Sequence, residues 1–458
     1  MDNEKTFDEI TEEIVDLVVE KKYIKARDLL LKNNEVDIAE ILEEILEEVD
    51  AERTVILFRM LPKDVAVEVF SYLPGDDQKA IINVITDKEI NYIIEEMDFD
   101  DMIDVLEELP ANLVDKILEQ TPKDERKQIN TFLNYPEDCA GTLMTPDYIM
   151  LKMDMTVKEA MAHIKEVGMD SETIYTCYVK DPVRRLQGIV SLRTLVISDD
   201  DVLVKDLMHT DFVSVNVYDD REEVSEAFTK YGFLAIPVVD NENRLVGIIT
   251  VDDIFDVIEE ETTEDIERMA GVIDSSDAEY LDMSVWKHIK NRLPWLFFLM
   301  CSYVITGSII AGFEAELSKV ICLVAYMPML MGTGGNSGSQ SATLVIRGLS
   351  VGDIDLKDAW KVLWKEARVS FFIGLALSVL NFLRVIYIDH NGVGVALTVC
   401  IAMVVIVVAA KVVGGMLPLL AKKIGIDPAL MASPMIASLT DMISVVTYFV
   451  LATMILNI

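Results

Sequence analysis

Long apolar runs occupy the last third of the chain, where five of them reach the ~20 residues that a transmembrane helix needs. They lie at 293–313, 319–346, 367–388, 393–421 and 432–457. The second run contains the stretch GTGGNSGSQSA, whose glycines and polar residues interrupt it. The pattern predicts an all-α membrane domain of five spans over residues 292–458, with the second span broken.

Basic residues predict the orientation of these spans. They cluster ahead of the first span and in the second and fourth connecting loops, while the first loop holds only Lys319 and the third, DHNG, holds none. Because basic loops stay on the cytosolic side, we expect the N-terminal part in the cytosol and the C-terminus outside. The chain is thus predicted to be a multi-pass protein of the plasma membrane.

Residues 1–138 carry apolar positions at helical spacing, as in IAEILEEILEEV. Three Leu-Pro pairs in this region mark helix starts, because Pro suits the first helical turn. The pattern predicts a small, acidic α-helical solenoid. In DFDDMIDVL, Asp100 and Asp104 lie one turn apart, so their carboxylates repel unless a cation lies between them. A solvated acidic face is the alternative.

Two similar segments follow, at 139–201 and 202–260, and each reads strand, helix, strand, turn, strand, helix. LMTPDYIMLKMDMTVKEAMAHI in the first matches LMHTDFVSVNVYDDREEVSEAF in the second. This resembles a tandem pair of α/β CBS domains, modules that bind adenosine nucleotides in other proteins. Thr250 and Asp253 in TVDD fit their ribose-binding pattern, whereas SLRT in the first repeat lacks the Asp. Nucleotide binding and a purely dimerising scaffold both stay open.

Residues 261–291 lead into the first span and are predicted to form a connecting helix. Acidic residues from Asp253 to Glu267 recur at three- and four-residue spacing and therefore line one helix face. Such a helix either transmits a signal from the cytosolic part to the membrane or serves as a solvated linker.

The net charge differs between the N-terminal part and the apolar C-terminal part as strongly as the hydropathy does. The net charge is −39, yet residues 286–458 hold 13 Lys+Arg against 9 Asp+Glu, so the remaining residues carry −43. An acidic surface of this density attracts cations and repels nucleic acid, which excludes a nucleic-acid-binding function. We find no nucleophile and base in a catalytic pattern, so an enzyme is not expected.

Asp441 lies inside the last apolar run, where a carboxylate is costly and is usually functional. It follows Asp427 by 14 positions, about 21 Å along a helix at 1.5 Å per residue. Asp427 precedes Pro428, and Asp as N-cap with Pro at the first helical position is an ordinary helix start. No basic residue lies in its span to pair with it. Either a proton, as in a proton relay, or a bound cation must neutralise it. The glycines and amides of the second span allow either pore lining or close helix packing.

Two segments, PMLMGTGGNSGSQSATLVIRGL and DPALMASPMIASLTDMISVVTYF, resemble signature segments of the MgtE family of magnesium channels. The order of acidic helical domain, CBS pair, connecting helix and five spans is similar along the whole chain. The resemblance implies a homodimer in the lipid bilayer, with a pore between the subunits, that conducts Mg²⁺ and is closed by cytosolic Mg²⁺. It also implies ATP binding at the CBS pair. Gly232 departs from some relatives, in which an acidic residue is expected.

Site residues follow from the same resemblance. Asp441 matches the ion-binding carboxylate of the pore, and Asp427 matches an acidic residue at its cytosolic mouth. The carboxylates that match regulatory Mg²⁺ sites are Glu68, Asp100, Asp104, Glu222, Asp253, Asp256, Glu261, Glu264 and Asp265. The residues predicted to line the pore, because small and polar residues lie at membrane depth, are Gly332, Gly334, Gly335, Asn336, Gln340 and Pro434. Pro434 and the glycine-rich stretch are expected to supply freed backbone carbonyls. The predicted nucleotide contacts are Arg193 and Phe233.

Two other functions are compatible with parts of this pattern. A proton- or Na⁺-coupled Mg²⁺ carrier would use Asp441 as its coupling site. A nucleotide sensor with a membrane anchor would not explain the polar residues at membrane depth in GTGGNSGSQ.

Overall fold

The computed structural model describes residues 6–136, 138–272, 280, 283–431 and 433–457. The chain divides into two compact units, Met1–Val257 and Ile258–Ile458, which are described separately below. Part of the predicted connecting helix, 273–279 and 281–282, lies outside the described residues.

In the described residues 6–136, the first unit opens with ten short helices, as the apolar periodicity predicts. They are α1 Phe7–Val19, α2 Tyr23–Leu30, α3 Glu35–Glu48, α4 Ala51–Phe58, α5 Lys63–Ser71, α6 Gly75–Ile82, α7 Asp87–Glu96, α8 Phe99–Glu108, α9 Ala111–Gln120 and α10 Lys123–Phe132. Pro62, Pro74 and Pro110 are the N-cap residues of α5, α6 and α9, with extended backbone. The prolines therefore stand one residue before the first turn, where a missing N–H also costs nothing.

The repeated half of the first unit has the element order that the sequence predicts. The first repeat comprises β1 Tyr148–Lys152, α11 Val157–Val167, β2 Thr173–Lys180, β3 Leu186–Ser191, α12 Leu192–Ile197 and α13 Val204–Leu207. The second comprises β4 Val215–Asn216, α14 Arg221–Tyr231, β5 Ala235–Val239, β6 Leu245–Thr250 and α15 Val251–Ala270. Each sheet pairs its first two strands parallel and its last two antiparallel. The two sheets therefore share one topology, the expected α/β pair.

The helix α15 differs from the predicted connecting helix at both ends. It begins at Val251, inside the second repeat, rather than at 261, and it ends at Ala270 rather than at 291. The next helix starts at Val285, with the Ser284 hydroxyl capping it.

The second unit is a bundle of long helices. They are α16 Val285–Gly312, α17 Glu314–Lys319, α18 Met327–Ser350, α19 Ala359–Tyr387, α20 Val393–Ile424 and α21 Ser433–Leu456, with 3₁₀ turns at Ile321–Tyr326, Leu356–Asp358 and Pro428–Met431. Four segments of the described chain are long and apolar enough to cross a membrane: Val285–Gly312, Leu356–Tyr387, Val393–Ile424 and Pro428–Leu456. They correspond to four of the five predicted spans. The predicted second span contains α18, which is long enough but less apolar.

The predicted break in the second span is wrong. GTGGNSGSQSA lies inside α18, which is helical without interruption. A helix satisfies its own backbone, whereas an irregular segment in a bilayer would expose costly N–H and C=O groups. The glycines serve close packing instead, since a Cβ on Gly414 of α20 would stand 2.1 Å from the Gly338 carbonyl oxygen of α18.

Candidate functional site

Asp441 is the ninth residue of α21 and is partly buried. Its carboxylate has no hydrogen bond or ion pair within the described part of the chain. One turn before and one turn after it, the hydroxyls of Ser438 and Ser444 are buried, and neither has a hydrogen-bond partner among the described residues. Polar groups in a membrane helix normally find partners, so Asp441 and these two hydroxyls form a row of unsatisfied polar groups along α21.

The predicted pore-lining residues separate into two groups on α18. Gly332, Asn336 and Gln340, four residues apart, form one exposed stripe. Gly334 and Gly335 are buried, with Ser444 and Ala437 of α21 as their respective neighbours. The two buried glycines therefore bring α18 against α21, and the stripe presents two amides.

Pro434 does not free a backbone carbonyl, contrary to the prediction. It is the second residue of α21, and an N–H in the first helical turn has no intrahelical acceptor. The carbonyls of the glycine-rich stretch likewise belong to the continuous helix α18. Side chains rather than loose carbonyls therefore provide the polar groups of this region.

Asp427 is held on both of its carboxylate oxygens. Oδ1 accepts the Ala429 N–H at 2.7 Å, which caps the turn that starts at Pro428, as the Asp-Pro pair predicts. Oδ2 accepts Nη1 of Arg268 at 2.7 Å, and Arg268 also pairs with Glu264 one turn earlier on α15. Arg268 was not among the predicted site residues, although a basic residue in an acidic helix was a signal for it in the sequence.

Two further contacts hold the end of α15 beside Asp427. Met269 packs against a cluster of buried residues that includes Ile346 and Ile436. Gly271 lies against the ring of Trp295 so closely that a Cβ would stand 2.0 Å from it. Burial, followed by the charge of Asp427, raises the pKa of Asp265. The predicted ligands Glu264, Asp265 and Asp427 are thus neighbours, with a guanidinium among them.

In the first unit, the predicted ligands Asp100 and Asp253 lie close together. Burial, and next the charge of Asp253, raises the pKa of Asp100 to about 8. Burial raises the pKa of Asp253 to about 6, although the Thr250 hydroxyl donates to its Oδ2 at 2.8 Å. Burial and the charges of Asp98 and Asp253 raise the pKa of Glu172 to about 7. Glu172 was missed because it comes from a third segment of the chain.

Glu68 belongs to a neighbouring group of carboxylates. Burial, with the charges of Asp98 and Asp101, raises its pKa. Burial also raises the pKa of Asp101, although the nearby Ser71 hydroxyl opposes this shift. Carboxyl groups with raised pKa values prefer a proton or a cation beside them.

The remaining predicted ligands are less enclosed. Asp104, Glu222 and Asp256 are exposed, and Glu261 is partly buried. Among the described residues, no three His, Cys, Asp or Glu side chains are grouped closely enough to hold a metal ion.

The predicted nucleotide contacts lie on different repeats. Arg193 is exposed on α12, and Phe233 stacks on Tyr231 with ring centroids 5.3 Å apart. Gly232 ends α14 in a left-handed conformation, with φ at 66°. A side chain at this position is strained, which gives a physical reason for the absence of an acidic residue.

Comparisons with sequence families match three segments of the chain. Residues 327–451 match MgtE, described as a divalent cation transporter, residues 33–138 match the MgtE intracellular N domain, and residues 204–260 match the CBS domain. The magnesium transporter MgtE of Thermus thermophilus is 41% identical over 333 residues, 72% of this chain and 73% of that protein. The magnesium transporter MgtE of Bacillus subtilis is 37% identical over 329 residues, 72% of each chain.

Among solved structures, the cytosolic domain of the Mg²⁺ channel MgtE in complex with ATP is similar to 53% of this chain. The match covers 98% of that domain, with 32% sequence identity and a TM-score of 0.49.

Proposed function

The chain belongs to the MgtE family of magnesium transporters, and from that premise we propose that it is a homodimeric, Mg²⁺-selective channel. It imports Mg²⁺ across the plasma membrane, with its N-terminal unit in the cytosol and its C-terminus outside. The observation that carries this proposal is Asp441, a carboxylate in an apolar helix that has no partner in the described part of the chain and is flanked by the hydroxyls of Ser438 and Ser444, unpaired there as well.

The chemistry of Mg²⁺ suits this row of groups. Mg²⁺ loses water reluctantly and prefers octahedral oxygen ligands, so it would be held through its hydration shell. In a two-fold dimer, two Asp441 carboxylates would face one hydrated ion. The amides of Asn336 and Gln340 on α18 are a further set of polar groups for its water molecules.

We propose that α18 also crosses the membrane and is the second of five spans. Its low apolarity follows from GTGGNSGSQS, whose small residues pack against α20 and α21 and whose amides form the exposed stripe. A helix that lines an aqueous path does not need an apolar surface all round.

Cytosolic Mg²⁺ would close the channel by binding between the acidic side chains. Asp100, Asp253 and Glu172 already approach one another, and a divalent cation among them would remove their repulsion. Mg²⁺ that binds the compact arrangement preferentially shifts the population toward it. The end of α15, held at Asp427 through Arg268, is the element that would close the cytosolic mouth.

ATP is proposed as a modulator at the CBS pair. Thr250 and Asp253 carry the ribose-binding pattern, and the exposed Arg193 and the stacked Phe233 are available to a nucleotide.

Mg²⁺ flux into proteoliposomes tests the proposal. We expect uptake by the unmodified protein without a pH gradient, and loss of uptake or of selectivity in Asp441→Ala and Asp441→Asn. Asp353→Asn, an exposed carboxylate in a loop, is the matched control and should not change uptake. Uptake that follows an imposed proton gradient would replace the channel by the carrier, with Asp441 as the coupling site.

A further inference from the structure

A basic side chain is buried inside one of the apolar spans and has no part in the mechanism above. Lys411 of α20 is 4% exposed and lies within the span Val393–Ile424. A charged side chain at such a place is expensive and faces the interior of a helix bundle, where it is usually functional. Hydropathy conceals it, because one Lys barely changes the average over a long apolar run.

The surroundings of Lys411 come from two other helices. Its Nζ stands 3.4 Å from the Ser341 hydroxyl and 3.4 Å from Oε1 of Gln340, both on α18. Ser341, itself fully buried, donates its hydroxyl to Oε2 of Glu366 on α19 at 2.5 Å. Glu366 lies along Gly415, one turn after Lys411. The ammonium and the carboxylate thus share one hydroxyl, and each neutralises the other.

Gln340 connects this buried pair to the exposed stripe of α18. Its amide oxygen accepts from Lys411, which occupies one of the two acceptor positions of that oxygen. A hydrated cation that reaches the exposed side of Gln340 therefore comes close to the buried ammonium of Lys411. Gln340 thus marks the level of the stripe at which a fixed positive charge lies nearby.

We propose that Lys411 is a specificity-determining residue that limits cation entry at the level of Gln340, balanced by Glu366. The proposal rests on the proposed Mg²⁺ flux. Coulomb energy is proportional to the charge of the moving ion. One fixed charge at roughly 8 Å through water changes the entry of a monovalent cation about 2.5-fold and that of Mg²⁺ about 6-fold. The expected factor for Mg²⁺ is therefore the square of the factor for a monovalent cation.

The test compares charge variants in proteoliposomes at low Mg²⁺, with a chelator on the face that carries the first unit. Lys411→Met and Lys411→Gln should raise Mg²⁺ uptake about 6-fold and Na⁺ uptake about 2.5-fold. Glu366→Gln, which leaves the positive charge unbalanced, should lower both by similar factors. The double variant Lys411→Met with Glu366→Gln should return toward the unmodified rate, and Lys411→Arg should stay near it.

A merely structural role predicts a different pattern. Loss of packing lowers uptake in Lys411→Met and in Glu366→Gln alike, and the double variant is worse than either. That pattern, or equal changes for Mg²⁺ and Na⁺, overturns the proposal. Lys411→Gln also removes the charge but keeps a hydrogen-bond donor for Ser341, so it replaces Lys411→Met in the test if that variant does not fold. Lys423→Met, an exposed Lys on the same helix, should leave both rates unchanged. If the unmodified protein shows no Mg²⁺ uptake at all, the proposed channel function is refuted instead.

Discussion

Replacing Asp100 by Asn should stabilise the first unit in the absence of Mg²⁺, because it removes a charge that the fold disfavours. Burial, and then the charges of Asp253 and Glu172, raises the pKa of the Asp100 carboxyl from 3.8 to about 8. The folded chain therefore binds a proton at this position that the unfolded chain releases. Stability from this group is complete below pH 3.8 and is lost as the pH rises toward 8.

The size of the effect follows from the distance between the two pKa values. One pH unit corresponds to about 1.4 kcal/mol, and pH 7 lies about three units above the unfolded pKa of 3.8, so keeping Asp100 protonated in the fold at pH 7 costs at most about 4 kcal/mol. This value is an upper limit, because water that enters the site when the carboxylate ionises stabilises the charge and lowers the cost. This free energy corresponds to a change of at most about 10³-fold in the equilibrium constant for local opening of α8 at pH 7.

Hydrogen exchange of the full chain, followed by mass spectrometry on peptides of α8, measures this directly. At pH 8 without Mg²⁺, amides of α8 should exchange more slowly in Asp100→Asn than in the unmodified protein. After correction for intrinsic exchange, the difference should vanish near pH 4. Saturating Mg²⁺ should slow exchange in the unmodified protein far more than in the variant. Trp fluorescence is unsuitable, since all four Trp residues lie at or beyond Trp286.

Asp64→Asn supplies the control, because Asp64 is an exposed carboxylate in the same domain. It should change neither exchange nor the response to Mg²⁺. Faster exchange in Asp100→Asn at pH 8, or a gain that is the same at pH 4 and pH 8, would refute the assignment of Asp100 as a buried, disfavoured charge.

The contact between α18 and α20 and the contact between Arg268 and Asp427 give two further predictions. Gly414→Ala places a methyl group against the Gly338 carbonyl and should lower membrane-unit stability by ~2 kcal/mol or more, measured by thermal unfolding in detergent. Gly307→Ala, which meets no atom within 4 Å, should be neutral or slightly stabilising, and equal losses would contradict the packing explanation. Arg268→Gln should raise the Mg²⁺ concentration that half-closes the channel ~5-fold, because a charged hydrogen bond to Asp427 of ~1 kcal/mol is lost at a partly exposed site. Flux titrations measure this, Arg268→Lys should shift less, and closure at lower Mg²⁺ would show that Arg268 competes with the ion.

Local patterns predicted the repeated half of the first unit and the Asp427 cap. Each repeat is decided by residues close in sequence, and an Asp-Pro pair caps a turn within three residues, as the Ala429 N–H bond to Asp427 shows. The helical periodicity of residues 7–132 was equally readable.

Features that depend on distant partners were not predictable in the same way. The continuous helix through GTGGNSGSQSA reflects the bilayer and the neighbours α20 and α21, which outweigh the poor helix propensity of Gly. Glu172 gains its importance only beside Asp98 and Asp253. Lys411 becomes conspicuous only when Ser341 and Glu366 are seen around it.

The backbone contact between Gly338 and Gly414 also has a mechanical consequence. Two helices that touch through a carbonyl oxygen have no side-chain layer to deform, so α18 and α20 should move as one stiff body. The residues of the exposed stripe, Gly332, Asn336 and Gln340, then stay about 6 Å apart along the helix axis, at 1.5 Å per residue. Because this spacing is fixed, the stripe selects ions by the size of their hydration shell and does not adapt to them.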